Sequence, residues 1–382
     1  MGIYLDNSAT SFPKPDCVYS AINDFMRNNG ASPGRGTYQS AMQSDQLVYE
    51  TRKSLTKLFN INRPGEIVFT ANATESINII LKGYLQQGDT VLTSNMEHNA
   101  LWRPLKALER DRGIKILQFH CDTTGAVDLQ EVASLLSKKP KLLATLHGSN
   151  VLGSVMPIKE MAALAHENGA LVLVDAAQTA GVYPIDVKAM GIDLLAFTGH
   201  KGLLGPTGTG GFYVREGIAL NTLKEGGTGS MAKSPYQPTK PPDRFEAGTM
   251  NIFGIAGLHA AIPFLLDIGI DTIRQHETEL MSILLDGVTS IPAVTLYGTD
   301  VPEQRLGLFS FNVDNMSAYD VANKLDKKYG IIVRAGLHCT PQAHELLGTQ
   351  DVGTVRISTG WFNTAEEMKA VNTAIKDIIA KG

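Results

Sequence analysis

LVLVDAAQTAGVYPIDVKAMGIDLLAFTGHKGLLGPTGTGG, residues 171–211, decides how the rest of this 382-residue chain is read. It holds two apolar runs, 171–174 and 194–197, each short enough to be a strand buried on both faces. The first run ends on Asp175; the second leads into Thr198, Gly199, His200 and Lys201 and then a glycine-rich bend. Open α/β sheets bind ligands beyond the carboxyl ends of their strands. Lys201 follows Asp175 by 26 positions, a spacing that suits strand, crossover helix, strand and brings both charges to one cleft.

Outward from this stretch, short apolar runs at 66–69, 90–93, 115–119 and 142–146 alternate with helical periodicity over 76–85, 100–110, 129–136 and 158–168. Two further helices are expected over 15–28 and 39–58. The alternation predicts an α/β fold, a mostly parallel sheet covered by helices. PYQPTKPP (235–242) reads as a flexible or extended segment, and a long apolar helix is expected over about 255–266. Beyond it, strands at 306–313, 331–334 and 354–358 are interspersed with helices over 318–328 and 365–379. The expected division is a large domain over 15–255 and a smaller α+β domain over 256–382, joined by residues 1–14 with a strand at 3–5.

Hydrophobic residues make up 43% of the chain and charged residues 19%, the balance of a globular protein with a large core. A net charge of −4 gives no electrostatic reason to expect nucleic acid as a partner. No apolar run reaches the length of a membrane span, and Asp6 interrupts the opening stretch before a secretion leader can form. The three cysteines, Cys17, Cys121 and Cys339, are too few and too scattered for a disulfide framework or a zinc cluster. A cytoplasmic protein without a resident metal is the expectation.

An acid and a lysine facing one pocket suit pyridoxal 5'-phosphate. The lysine would hold the cofactor as a Schiff base, and the acid would keep the pyridine nitrogen protonated so that the ring draws electrons. Taken singly, Lys201 could be a solvated loop lysine and Asp175 a helix cap. Thr74, in NATES (72–76), follows a strand and opens a helix, where free N–H groups favour a phosphate; it could equally cap that helix. His98, in NMEHN (95–99), could stack on the ring or face water. Gln178, shortly after Asp175, could reach the cofactor's phenolic oxygen, and Asn150, in HGSN (147–150), could bind cofactor or substrate. Arg35, in GASPGRG (30–36), reads more simply as a surface charge than as a phosphate or subunit contact.

Arg356 lies on an apolar strand with no acid beside it in sequence, so it awaits either an anionic ligand such as a carboxylate or an ion pair within the chain. Cys339 sits in RAGLHCTP (334–341), where Arg334 and His338 would favour its thiolate if charged. A lone cysteine is otherwise an inert small hydrophobe, the reading that suits Cys17 and Cys121.

Together these motifs resemble the cysteine desulfurases and selenocysteine lyases, a group of class-V aminotransferase-like enzymes. The likeness runs from YLDNSATSFPKP through MEHNA, HGSNVLG, VDAAQ, TGHKGLLGPTGTGG and FEAGTMN to RAGLHC and VRIST. It implies the large-domain and small-domain architecture of pyridoxal-phosphate fold type I, built as a homodimer. It further implies that Lys201 binds the cofactor, Asp175 pairs with its pyridinium, His98 stacks on its ring and Gln178 meets its phenolic oxygen. Thr74, Thr198 and His200 would hold the phosphate, with Thr249 reaching the phosphate of the other subunit. Asn150 and Arg356 would bind the substrate carboxylate. Lys201, His98 and Cys339 would be the catalytic residues, Cys339 taking sulfur from L-cysteine as a persulfide and passing it to an acceptor protein. Leu337 stands where the family's loop often carries histidine, and TPQAH (340–344) departs from the commoner continuation. L-Selenocysteine as substrate, another class-V reaction (aminotransferase or epimerase), or a scaffold that binds the cofactor without turnover are the alternative readings.

Overall fold

A computed structural model describes residues 2–34 and 36–380; Arg35 lies outside the described residues. β1 (Ile3–Tyr4) is followed by α1 (Asp16–Asn28) and α2 (Gln39–Phe59). Next come β2 (Ile67–Thr70), α3 (Ala73–Tyr84), β3 (Thr90–Ser94), α4 (Asn99–Arg112), β4 (Lys115–Phe119), α5 (Leu129–Leu136) and β5 (Leu142–Leu146). α6 (Ile158–Glu167), β6 (Leu171–Asp175), β7 (Leu194–Thr198) and β8 (Gly210–Val214) complete the first half. The second half comprises α7 (Ile252–Ile268), α8 (Ile270–Thr289), β9 (Val294–Tyr297), β10 (Leu308–Val313), α9 (Ala318–Tyr329) and β11 (Ile331–Ile332). It closes with β12 (Arg334–Gly336), α10 (Pro341–Leu347), β13 (Thr354–Ser358) and α11 (Ala365–Ala380).

Seven strands form the large sheet in the order β2-β8-β7-β6-β5-β3-β4. Only β8 runs against the rest, antiparallel to both β2 and β7. Successive residues of a strand face opposite sides, and both sides are apolar here. Leu143, Val172, Val174, Leu195 and Phe197 join the core beneath α2, α5, α6 and α7. Leu142, Ala144, Leu173, Leu194 and Ala196 join the core beneath α3 and α4. This two-sided burial explains the unbroken apolar runs, each fully buried Val, Leu or Phe side chain contributing about 1.5–3 kcal/mol. A third core, containing Leu5, Leu284, Phe309, Phe311, Val355, Ile357 and Ile375, lies between α8, α9 and α11 and the antiparallel sheet β12-β13-β10-β9.

Three expectations need correcting. The connection from β6 to β7 is a series of turns and holds no helix; Gly181 takes a left-handed φ of 90° and Pro184 interrupts the segment. β8 escapes strand recognition because it begins Gly210-Gly211, yet those glycines are what let it fit. A Cβ on Gly210 would come within 2.7 Å of Asn72 Cα at the start of α3. The stretch expected as one strand at 331–334 is two short strands, β11 and β12, in different sheets. Just past the proline-rich segment the chain is tied down: Glu246 accepts from both Arg52 Nη2 (2.6 Å) and Phe69 N (2.7 Å). Helices α8 and α10 and strand β9 were also not anticipated.

The amino terminus links the two sheets. β1 pairs in parallel with β11, and Ser358 N donates to Leu5 O (2.8 Å). Farther along, Ser11 N (3.0 Å) and Lys14 Nζ (2.8 Å) both donate to the carbonyl of His200. Among the described residues no single helix is long and apolar enough to cross a membrane.

Candidate active site

A cleft of about 220 Å³ opens where β3, β5, β6 and β7 end and the segment 334–339 passes over them. Thr74, His98, Asn150, Asp175, Gln178, Thr198, His200, Lys201, Cys339 and Arg356 all line it, so ten of the eleven residues singled out in the sequence meet in one place. Thr249 does not; it lines a second cleft of about 280 Å³ with Glu75, Lys224 and Glu246.

Asp175 ends β6 and accepts a hydrogen bond from Ala177 N (2.9 Å). Burial raises its pKa, while the Ala177 N–H and the Lys201 ammonium oppose the rise. The Lys201 amine makes no hydrogen bond or ion pair with the described residues. Burial, with Arg356 next, pulls its pKa down to about 8 against the opposite pull of Asp175. A lysine near 8 presents an appreciable neutral amine, the nucleophilic and basic form.

At the far end, the bland alternative for Thr74 fails. Asn72 caps α3 by accepting from Glu75 N (2.9 Å), which leaves the Thr74 hydroxyl at the cleft without a partner among the described residues. The first turn of α3 also offers the N–H groups that favour an anion. His200 has its Nδ1 buried without a partner and a pKa lowered to about 4, by burial first and then by Lys201 and Lys14. His98 caps α4, its Nδ1 accepting from Ala100 N (3.0 Å). Burial and the cations Lys201, Arg356 and Arg334 lower its pKa to about 4, so it is a neutral imidazole with the proton on Nε2. Gln178 Nε2 donates to Ser8 O (3.2 Å), leaving its carbonyl oxygen free.

Arg356 makes the ion pair within the chain that was one of its two alternatives. Its Nη2 pairs with Asp6 Oδ1 (2.8 Å) and its Nη1 donates to Asn150 O (3.2 Å), while Nε is buried without a partner beside the cleft. Asn150 donates through Nδ2 to His338 O (2.7 Å) and accepts at Oδ1 from Thr340 Oγ1 (2.7 Å).

Cys339 is exposed and lines the cleft; Cys121 is buried and its pKa is pushed up by burial and by Glu97. Cys17 is exposed on α1, away from the cleft. His338 and Cys339 both take left-handed φ angles, 49° and 61°, a conformation costing roughly 1–2 kcal/mol per non-glycine residue. The expected cationic neighbourhood of Cys339 is half right. Burial, with Arg356 second, holds His338 neutral, its pKa lowered to about 2, so the charge comes from Arg334 and Arg356 in the cleft wall.

Sequence reasoning passed over Asp6, the partner of Arg356, although it is an acid just past a strand like Asp175. It also passed over Glu97, fully buried beside His98 and accepting from Ser94 Oγ (2.5 Å), Thr145 Oγ1 (2.9 Å) and Leu146 N (3.0 Å). Nothing local marks Glu97, because its partners lie on two strands.

Known proteins resemble this chain over nearly its whole length. The class-V aminotransferase family profile matches residues 3–371. A probable cysteine desulfurase of Methanothermobacter thermautotrophicus is 37% identical over 386 residues, covering 100% of this chain and 95% of that protein. A cysteine desulfurase of Escherichia coli is 37% identical over 385 residues, covering 98% and 93%. The apo structure of a cysteine desulfurase from Thermococcus onnurineus superposes with a TM-score of 0.91 at 33% identity, over 100% of this chain and 95% of that one. With residues 3–371 matched and full-length relatives above a third identical, the chain belongs to the class-V aminotransferase family, among its cysteine desulfurases.

Proposed function

We propose that this protein is a pyridoxal-phosphate-dependent cysteine desulfurase that converts L-cysteine to L-alanine and carries the released sulfur as a persulfide on Cys339. The carrying observation is that Lys201, Asp175, Arg356 and an exposed thiol line one cleft. The family depends on pyridoxal phosphate, and the donor set fits that group. Asp175 would hold the ring nitrogen, His98 the ring face, and Gln178 the phenolic oxygen. The Thr74 hydroxyl, Thr198, the orphaned Nδ1 of His200 and the α3 amino terminus would hold the phosphate. When bound, the cofactor supplies an electron sink for chemistry at the substrate's α-carbon.

The chain's own residues supply the rest. Arg356, with Asn150, orients the substrate carboxylate; its Nε is a buried donor awaiting an acceptor. Lys201, with its lowered pKa, takes the proton from the substrate Cα and returns one to the carbon skeleton. The Cys339 thiolate attacks the substrate sulfur: a sulfur–sulfur bond forms, the Cβ–S bond breaks, and its electron pair stays with carbon. Protonation then gives alanine, so cysteine and thiol become alanine and persulfide with no outside oxidant. An acceptor protein bearing a thiol would discharge the persulfide.

We extend the proposal to assembly and organisation. Thr249 stands outside the cleft of its own chain, which supports a homodimer in which it serves the other subunit's phosphate. The pairing of β1 with β11 supports counting 1–14 with 256–382, although α7 packs against the large sheet's core. The test is to incubate purified protein with L-cysteine and quantify alanine and sulfide, with L-selenocysteine in parallel, then reduce the protein with borohydride and map the label. Alanine formation and a label on Lys201 are expected; no alanine, or a label on another lysine, overturns the reading.

A further inference from the structure

Asn150 touches the cleft on one side and the back of the Cys339 loop on the other. A carboxamide offers two N–H donors and two acceptor lone pairs. One N–H goes to His338 O (2.7 Å), and the oxygen takes the Thr340 hydroxyl (2.7 Å). A carbonyl that only accepts and a hydroxyl positioned to donate fix which end of the amide is nitrogen. The second N–H is left for the cleft that Asn150 lines.

Thr340 is completely buried and does not line the cleft, so its hydroxyl never meets a ligand. Its backbone N donates to Leu337 O (3.0 Å), closing the turn that carries the thiol, and Cys339 O accepts from Asn99 N (2.9 Å) next to His98. Three consecutive residues of the loop are therefore held, at the His338 carbonyl, the Cys339 carbonyl and the Thr340 hydroxyl. Two consecutive left-handed residues persist only where surroundings over-determine them. Of the three anchors, the hydroxyl is the one a side-chain substitution removes without touching the cleft lining.

We propose that Thr340 is a positioning residue for sulfur transfer: the buried Thr340 Oγ1–Asn150 Oδ1 hydrogen bond fixes the strained loop so that the Cys339 thiol faces the cleft. The proposal rests on the desulfurase reading for its kinetic arm only. Thr340→Val keeps the shape and removes the hydroxyl; Thr340→Ser keeps the hydroxyl.

The experiment compares both variants with wild type as cofactor-loaded enzyme. Three quantities are measured: kcat and KM on L-cysteine, the Kd of L-alanine from its spectral change, and the rate of Cys339 alkylation by iodoacetamide without substrate. Thr340→Val should lose at least tenfold in kcat, change the alkylation rate at least fivefold and bind L-alanine within twofold of wild type. Thr340→Ser should match wild type within about twofold in all three. The proposal is overturned by a Val variant with wild-type kcat and alkylation, by a Ser variant that fails alongside Val, or by loss of L-alanine binding together with kcat. If wild type makes no alanine, the functional reading fails, yet the alkylation rates still decide the positioning of the thiol. Should Thr340→Val not fold, Thr340→Ala removes the same hydroxyl with less bulk.

Discussion

Asp175 and Lys201 sit at or just past the ends of buried parallel strands, while Cys339 sits on a loop between a short edge strand and a short helix. The first two inherit their positions from the sheet: β5 and β7 are buried along their whole length, and β6 nearly so. The third owes its position to side-chain hydrogen bonds, which hold two residues in a conformation they avoid when free. A group that must hold a cofactor benefits from the stiffest part of the fold. In the proposed function the thiol must reach a substrate and then an acceptor, which needs exposure, and the loop provides it.

The largest expected effect is on the strand-end side. Lys201→Ala should lower alanine release by about a thousandfold or more, since it removes both the cofactor attachment and the proton carrier. Steady-state assay and loss of visible Schiff-base absorption check it; a variant with substantial turnover would break the assignment.

On the loop side, Cys339→Ser should cut alanine release from L-cysteine by about a hundredfold or more and leave cofactor absorption unchanged, because an alkoxide is far harder to reach than a thiolate. Added sulfur should appear by mass spectrometry on Cys339 and not on Cys121, whose burial disfavours its thiolate. Wild-type rates in the serine variant would leave the cofactor reading standing and remove the persulfide.

A third test asks how much the strand-end side of the cleft depends on Glu97. Burial raises its pKa from 4.5 to about 7. A raised folded-state pKa for an acid means that stability is fully present below about 4.5 and is lost as pH rises through about 7. Between pH 5 and pH 8, urea unfolding should therefore show Glu97→Gln gaining on wild type by about 1–3 kcal/mol. A difference that does not change with pH would show that the carboxyl does not titrate there.

The smallest effect concerns Thr249. Thr249→Ala should weaken cofactor retention by about five- to tenfold, the net worth of one ordinary hydrogen bond. Mixing it with Lys201→Ala should produce mixed dimers with one intact site, restoring activity above either variant alone. No gain on mixing would count against a site shared between subunits.

The strand-end half of the site was legible in the sequence because a buried strand announces itself as an apolar run, and the residues just after its carboxyl end stand by construction at the cleft. His98, Asn150, Asp175 and Lys201 were all found that way. The loop half was legible only in part. Cys339 stood out through its arginine and histidine neighbours, but His338 proved neutral, since burial outweighs what a sequence neighbour suggests. Asp6 and Thr340 act through partners far off in the chain, and Glu97 through Thr145 and Leu146 as well as its neighbour Ser94, and no local pattern carries that. β8 was hidden for the opposite reason: glycine reads as a turn, whereas here it clears space beside Asn72.

The ion pair between Asp6 and Arg356 joins residues 350 positions apart. During synthesis at about 5–20 residues per second, Asp6 waits roughly 20 to 70 seconds before Arg356 has been made. The seven-stranded sheet has all its strands by Val214 and can collapse within that interval, but β1 has no β11 to pair with. The cleft is thus finished last, by the two ends of the chain together. A nascent chain interrupted short of β13 would hold nearly all of the strand-end side of the cleft but lack Arg356, leaving Asp6 without its partner.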